Sequence, residues 1–327
     1  MEGKLDEAGT AKRNGLSYAI LGVGALGGYY GGLLARSGLD VRFLLRRDYA
    51  HVREHGLRID SPQGNFHLPS VQCYDSPQKM AQTTPAVDVA IVAWKTTANA
   101  ALKETLQQVC GPETIVLVLQ NGFEVEREAG ACLGAERVLG GCCFLCSNKV
   151  GPGEIQHIDY GRIAFGEYAP SLSGSITPRM QAMASDFQRA GIDMQPAEDL
   201  RKVRWSKLVW NIPYNGLSVV LNADTRQLMQ DSQSLLLVEA LMREVCESAE
   251  YCSCLIDDSH VEKMLDDTRR MIPYDSSMRL DFLAGRPMEV ESIFGNPLRA
   301  AIEAGFRPHK IEMLYQQLCF LDHQHSQ

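Results

Sequence analysis

No apolar run in this chain of 327 residues approaches the roughly 20 needed for a helix to cross a bilayer, so a membrane partner is not expected. The polar start, residues 1–15, has no signal-peptide core; it reads as a flexible N-terminus on a cytoplasmic protein. Positive charge is in deficit. A net charge of -8 argues against a nucleic-acid partner. Paired CxxC knuckles and an HExxH motif are also missing, despite ten cysteines and eight histidines, and no metal site is expected. Cys142, Cys143, Cys146, Cys252 and Cys254 read instead as reduced, buried thiols. Internal repeats and low-complexity tracts are absent, which leaves an ordinary globular chain long enough for two domains.

What is present begins with a buried strand, Leu16 to Leu21, running into Gly22-Val23-Gly24-Ala25-Leu26-Gly27 and a helix rich in small residues. A glycine turn alone is a weak signal. Here it follows a strand, opens a helix and precedes a second strand, the context that a dinucleotide fingerprint requires. Gly22 permits the tight turn, Gly24 lets a pyrophosphate approach the backbone, and Gly27 lets helix and strand pack closely. A plain glycine turn is the alternative. The second strand ends Leu44-Leu45-Arg46-Arg47, where an NAD site usually carries an acid. Two guanidiniums suit the 2′-phosphate of NADP, although solvated charges at a strand end would look the same.

The strand and helix rhythm continues with a hairpin predicted over Arg58 to Leu68 and a strand over Val87 to Trp94 that ends at Lys95. A further strand over Thr114 to Leu119 ends in Gln120-Asn121-Gly122. Ligands of open parallel sheets lie beyond such strand ends, which singles out Lys95 and Asn121. After Glu198 the pattern turns all-helical. We therefore expect an α/β fold with a Rossmann-type dinucleotide-binding domain over 16–198 and a helical substrate domain over 199–327.

The second domain opens on LRKVRWSKLVWNIPYNGLSVVL, in which Lys207, Asn211 and Asn215 recur every four residues and share one helix face. A wet stripe on an amphipathic helix is the ordinary reading. Asparagine is poor in helix interiors, however, and a solvated stripe would more naturally be Glu, Lys or Gln. Pro213 predicts a kink, or a break before Asn215. Further on, Ser276-Ser277-Met278 opens a helix, with Glu289 twelve residues after Ser277; singly, these read as a cap and a first-turn acid.

Together these segments resemble the ketopantoate reductase (2-dehydropantoate 2-reductase) family from Tyr18 to Leu321. The likeness rests on GVGALGG, Lys95, Gln120-Asn121-Gly122, the Lys207/Asn211/Asn215 face, and Ser276-Ser277-Met278 followed by Glu289. It implies reduction of 2-dehydropantoate to pantoate by NADPH, a step towards coenzyme A. It also implies roles: Lys207 as general acid, and Glu289 holding a substrate hydroxyl or orienting the lysine. Asn211, Asn215 and Ser277 would bind substrate oxygens, Asn121 would serve substrate and nicotinamide, Lys95 would lie near cofactor or substrate, and Arg46 would meet the 2′-phosphate. The partner is then a small 2-oxo acid, and a homodimer is compatible. The chain departs from the family pattern at Phe294-Gly295-Asn296-Pro297 and at Pro213. Two other readings stay open, a reductase of a different 2-oxo acid and a non-catalytic NADP sensor.

Overall fold

The computed structural model describes residues 15–83, 85–273 and 275–325. The N-terminal stretch expected to be flexible therefore lies, Gly15 apart, outside the described residues. The chain forms two compact units: one takes the residues up to Trp94 with Ala101–Leu119 and Glu128–Glu198, and the other takes Lys95–Ala100, Gln120–Arg127 and the chain from Asp199 onward.

The first unit is an α/β fold. Its elements are β1 (Tyr18–Leu21), α1 (Ala25–Arg36), β2 (Val41–Leu44), α2 (Tyr49–His55), β3 (Leu57–Asp60), β4 (Phe66–Leu68), β5 (Gln72–Tyr74) and α3 (Pro77–Ala81). They continue with β6 (Val89–Val92), α4 (Leu102–Val109), β7 (Ile115–Val118), α5 (Arg127–Leu133), β8 (Val138–Gly151), β9 (Glu154–Glu167), α6 (Pro178–Arg189) and β10 (Met194–Pro196). The sheet runs β4-β3-β9-β8-β7-β6-β1-β2-β5, with β10 also on β9. It is mixed, because β3 pairs antiparallel with β4 and β8 with β9, while β1 lies parallel between β2 and β6. All four residues of β1 are fully buried, as a strand covered on both faces requires, so its sequence shows no alternation.

The predicted hairpin is present as β3 and β4, whereas α2, α3, α5 and β5 had no clear sequence signal, each being only one or two turns or three residues long. All ten cysteines are free thiols. One histidine pair does stand four residues apart, His51 and His55 on α2, with ring centroids 4.7 Å apart. Among the described residues no group of three or more His, Cys, Asp or Glu gathers as metal ligands would.

The second unit is helical: α7 (Leu200–Val220), α8 (Thr225–Gln230), α9 (Ser232–Tyr251), α10 (Ser259–Arg270), α11 (Ser277–Leu283), a π-turn at Glu291–Gly295 leading into α12 (Asn296–Glu303), and α13 (His309–His325). The core gathers around α7, whose Trp205, Val209, Ile212 and Tyr214 are fully buried. Asp199 starts this helix by accepting a hydrogen bond from the Lys202 amide at 3.0 Å. Of the two outcomes expected, the break before Asn215 does not occur, and the helix runs through Pro213 to Val220. Proline there withdraws the amide that would pair with the Val209 carbonyl, a cost of about 3 kcal/mol in an isolated helix. Burial of Ile212, Pro213 and Tyr214 against the surrounding helices holds the segment helical regardless.

Candidate active site

In the first unit the glycine turn has the shape its sequence implies. Gly22 has φ +100°, and a Cβ there would lie 2.7 Å from the Trp94 backbone nitrogen, so only glycine fits. Gly24 caps α1 without a side-chain hydrogen bond, the first turn carries no acid, and a Cβ on Gly24 would meet open space. The positive end of α1 thus carries neither a side-chain cap nor an acid, which fits a pyrophosphate. Arg46 and Arg47 are exposed beyond β2, and among the described residues no carboxylate pairs with either. The Arg46 guanidinium stands 5.9 Å from the centre of the Trp94 ring. These features fit a dinucleotide carrying a 2′-phosphate.

The second unit holds the other predicted residues. Lys207, half-buried on α7, donates from Nζ to Asn121 Oδ1 at 2.7 Å. Asn211 and Asn215 follow on the same helix, 4% and 3% exposed, and neither carboxamide hydrogen-bonds to a described residue. A ligand carrying several oxygens suits both carboxamides. Ser277 joins this group through its neighbour: Ser276 Oγ lies 2.8 Å from Ser218 Oγ, and Ser218 donates to the Asn215 carbonyl at 3.1 Å. Ser276 is the helix cap, accepting from the Arg279 amide at 3.1 Å, which leaves the half-buried Ser277 hydroxyl uncommitted among the described residues.

Asn121 sits on an irregular segment held by backbone contacts. Gly122 has φ +118°, and the Phe123 amide donates to the Ser292 carbonyl at 2.8 Å. That carbonyl is open because of the π-turn. The Asn296 amide reaches back to Glu291, and the residue that would serve Ser292 in this pattern is Pro297, which has no N–H. Asn296 Nδ2 then donates to the Phe123 carbonyl at 2.8 Å. The departure at Phe294-Gly295-Asn296-Pro297 therefore positions Asn121.

Glu289 and Lys95 meet partners that the sequence did not indicate. Glu289, 6% exposed, accepts from the amide and hydroxyl of Thr96 at 2.8 and 3.0 Å and makes no bond to Lys207. Lys95 pairs with buried Asp281, which also accepts from Arg286 Nε at 2.9 Å. Burial raises the Glu289 pKa above the ordinary carboxylate range, while the Thr96 hydrogen bonds and Lys95 act in the opposite direction. A carboxyl whose folded pKa is raised contributes stability fully below its unfolded pKa of about 4.3, and that contribution is lost as pH rises through the folded value. Glu289→Gln removes this dependence. Its melting temperature relative to the unsubstituted protein is expected to rise between about pH 4 and pH 8. Thermal unfolding across that range measures it, and a flat or falling difference would contradict the assignment.

A glycine-turn dinucleotide fold with a lysine, two buried carboxamides and a buried carboxyl on a helical unit defines an oxidoreductase that acts on a small polar carbonyl compound. Comparison with known proteins narrows the class. Residues 18–170 match the family described as ketopantoate reductase PanE/ApbA, and residues 199–321 match its C-terminal family. A 2-dehydropantoate 2-reductase from Nostoc is 52% identical over 310 residues, covering 94% of this chain and 96% of its own length. The crystal structure of 2-dehydropantoate 2-reductase from Geobacter metallireducens is 40% identical with a TM-score of 0.88, covering 94% of this chain and 99% of that one. Its counterpart from Methylococcus capsulatus is 32% identical with a TM-score of 0.85, covering 95% and 98%. This chain belongs to the ketopantoate reductase family.

Proposed function

We propose that the protein reduces 2-dehydropantoate to pantoate with NADPH, in the cytoplasm, as a step of pantothenate biosynthesis. The observation that carries the chemistry is the helix face on which Lys207 precedes Asn211 and Asn215, two buried residues whose carboxamides bond to no described residue. NADPH, when bound, supplies the hydride that reaches the 2-oxo carbon. Lys207 donates from its ammonium to the carbonyl oxygen, stabilises the charge developing there and transfers the proton that completes the alcohol. Asn121, accepting from Lys207 Nζ, aims the ammonium. Asn211, Asn215 and Ser277 hold the carboxylate and carbonyl oxygens without a full positive charge, and Glu289 accepts the terminal hydroxyl that distinguishes this substrate from simpler 2-oxo acids. Lys95, fastened by Asp281, stands beside this group on the loop that carries Thr96.

The glycine turn Gly22, Val23, Gly24, Ala25, Leu26 and Gly27 holds the pyrophosphate, and Arg46 holds the 2′-phosphate. Removing a charge-assisted pair of about 1.5–3 kcal/mol, Arg46→Ala is expected to weaken NADPH binding roughly ten- to hundredfold and leave NADH nearly unchanged. Titration of both cofactors checks this, and equal losses would contradict it. The chain is proposed to act as a homodimer.

A panel of 2-oxo acids with NADPH, followed by its absorbance, separates this reading from its rivals. Highest kcat/KM for 2-dehydropantoate supports it. Preference for another acid supports a different reductase, and binding without turnover supports a sensor.

A further inference from the structure

Among the ion pairs of the helical unit, Arg204 with Glu126 differs from Lys95 with Asp281, where the lysine side chain is 43% exposed. Both partners here are buried, at 3% and 2%. Arg204 Nε donates to Glu126 Oε1 at 2.9 Å, as Nη2 also does, while Nη1 donates to the Gln120 carbonyl at 2.7 Å. A buried pair of this kind is a poor device for stability, since apolar replacements of similar volume often serve as well or better. Its geometry has another consequence. Gln120 precedes Asn121, the acceptor of Lys207, and Arg204 lies three residues before Lys207 on α7, a neighbouring position on the helix surface.

The connections close a ring: α7 carries Lys207, Lys207 donates to Asn121, the chain passes to Gln120, and Arg204 returns the link to α7. On the other side of Asn121, the Phe123 amide and carbonyl are held by Ser292 and Asn296. Asn121 is thus bracketed on a backbone that has no regular hydrogen bonds of its own. We propose that Arg204, anchored by Glu126, is a positioning residue for proton donation: it fixes Asn121, and through it the direction of the Lys207 ammonium, without touching substrate.

This inference rests on the functional reading above, so its test carries one arm that needs no substrate. The double variant Arg204→Met with Glu126→Met removes both charges and leaves none buried alone, so it is expected to fold. Its kcat should fall roughly ten- to hundredfold, the scale on which a small misplacement of a reacting group is felt, with KM for both substrates within about twofold. Hydrogen exchange of the ligand-free protein should become at least about tenfold faster across residues 120–127 and stay unchanged in α9. Arg204→Lys keeps the charge opposite Glu126 but gives up the fork to Gln120. It should retain stability and still lose kcat. Wild-type kcat and wild-type exchange in the folded variants would overturn the proposal. If the unsubstituted protein reduced no 2-oxo acid, the functional reading would fail, and the exchange arm would still decide whether Arg204 holds this segment.

Discussion

Lys207→Ala is expected to lower kcat by at least about a hundredfold, some 2.7 kcal/mol of transition-state stabilisation, while NADPH affinity barely moves. The reason is differential. Nζ meets a neutral carbonyl in the ground state and an oxygen gaining a full charge during hydride arrival, so the interaction is strongest at the transition state. Lys207→Arg sharpens the test, because it keeps the positive charge but offers a proton of pKa above about 12. Activity should stay low if proton transfer matters, and recover in part if charge alone does. Turnover, KM and cofactor binding for both variants separate these outcomes. Near-normal kcat in Lys207→Ala would remove Lys207 from the chemistry.

Gly122→Ala is expected to have a comparable effect without altering any functional group. A Cβ at this position would lie 2.4 Å from the Ser292 carbonyl oxygen and 2.6 Å from the carbonyl carbon, at φ +118°. Neither neighbour is the tip of a flexible side chain. The backbone must therefore shift, the Phe123 to Ser292 bond must lengthen, and Asn121 must move away from Lys207. Displacement of that order in a reacting constellation costs about a hundredfold in kcat, and positive φ adds about 1 kcal/mol or more of strain. A folded Gly122→Ala protein with full kcat would show that the position of Asn121 is unimportant. Kinetics together with thermal unfolding distinguish lost activity from lost fold.

Much of this architecture could be read from the chain because its signals are local. The glycine turn needs only its neighbouring strand and helix, and the Lys207, Asn211 and Asn215 face follows from helical periodicity. The supports of that face were not legible. Glu289 meets Thr96 across 193 positions, and Arg204 meets Glu126 across 78. Such pairings depend on tertiary packing rather than on spacing. An arginine amid the apolar residues of α7 was the one available hint of a buried partner. Proline also acts differently in its two settings. Pro213 does not break its helix, where its neighbours are buried, whereas Pro297 leaves the Ser292 carbonyl to accept from the Phe123 amide. Sequence alone marks Pro213 as a kink or break and Pro297 only as a departure from the family pattern.

The most direct test of the account is to supply 2-dehydropantoate with NADPH deuterated at the transferring position, and to examine the product by mass spectrometry. Pantoate carrying one deuterium at the former carbonyl carbon, formed in step with NADP, is the predicted result. Recovery of unchanged 2-dehydropantoate, while some other 2-oxo acid takes up the label, would contradict it.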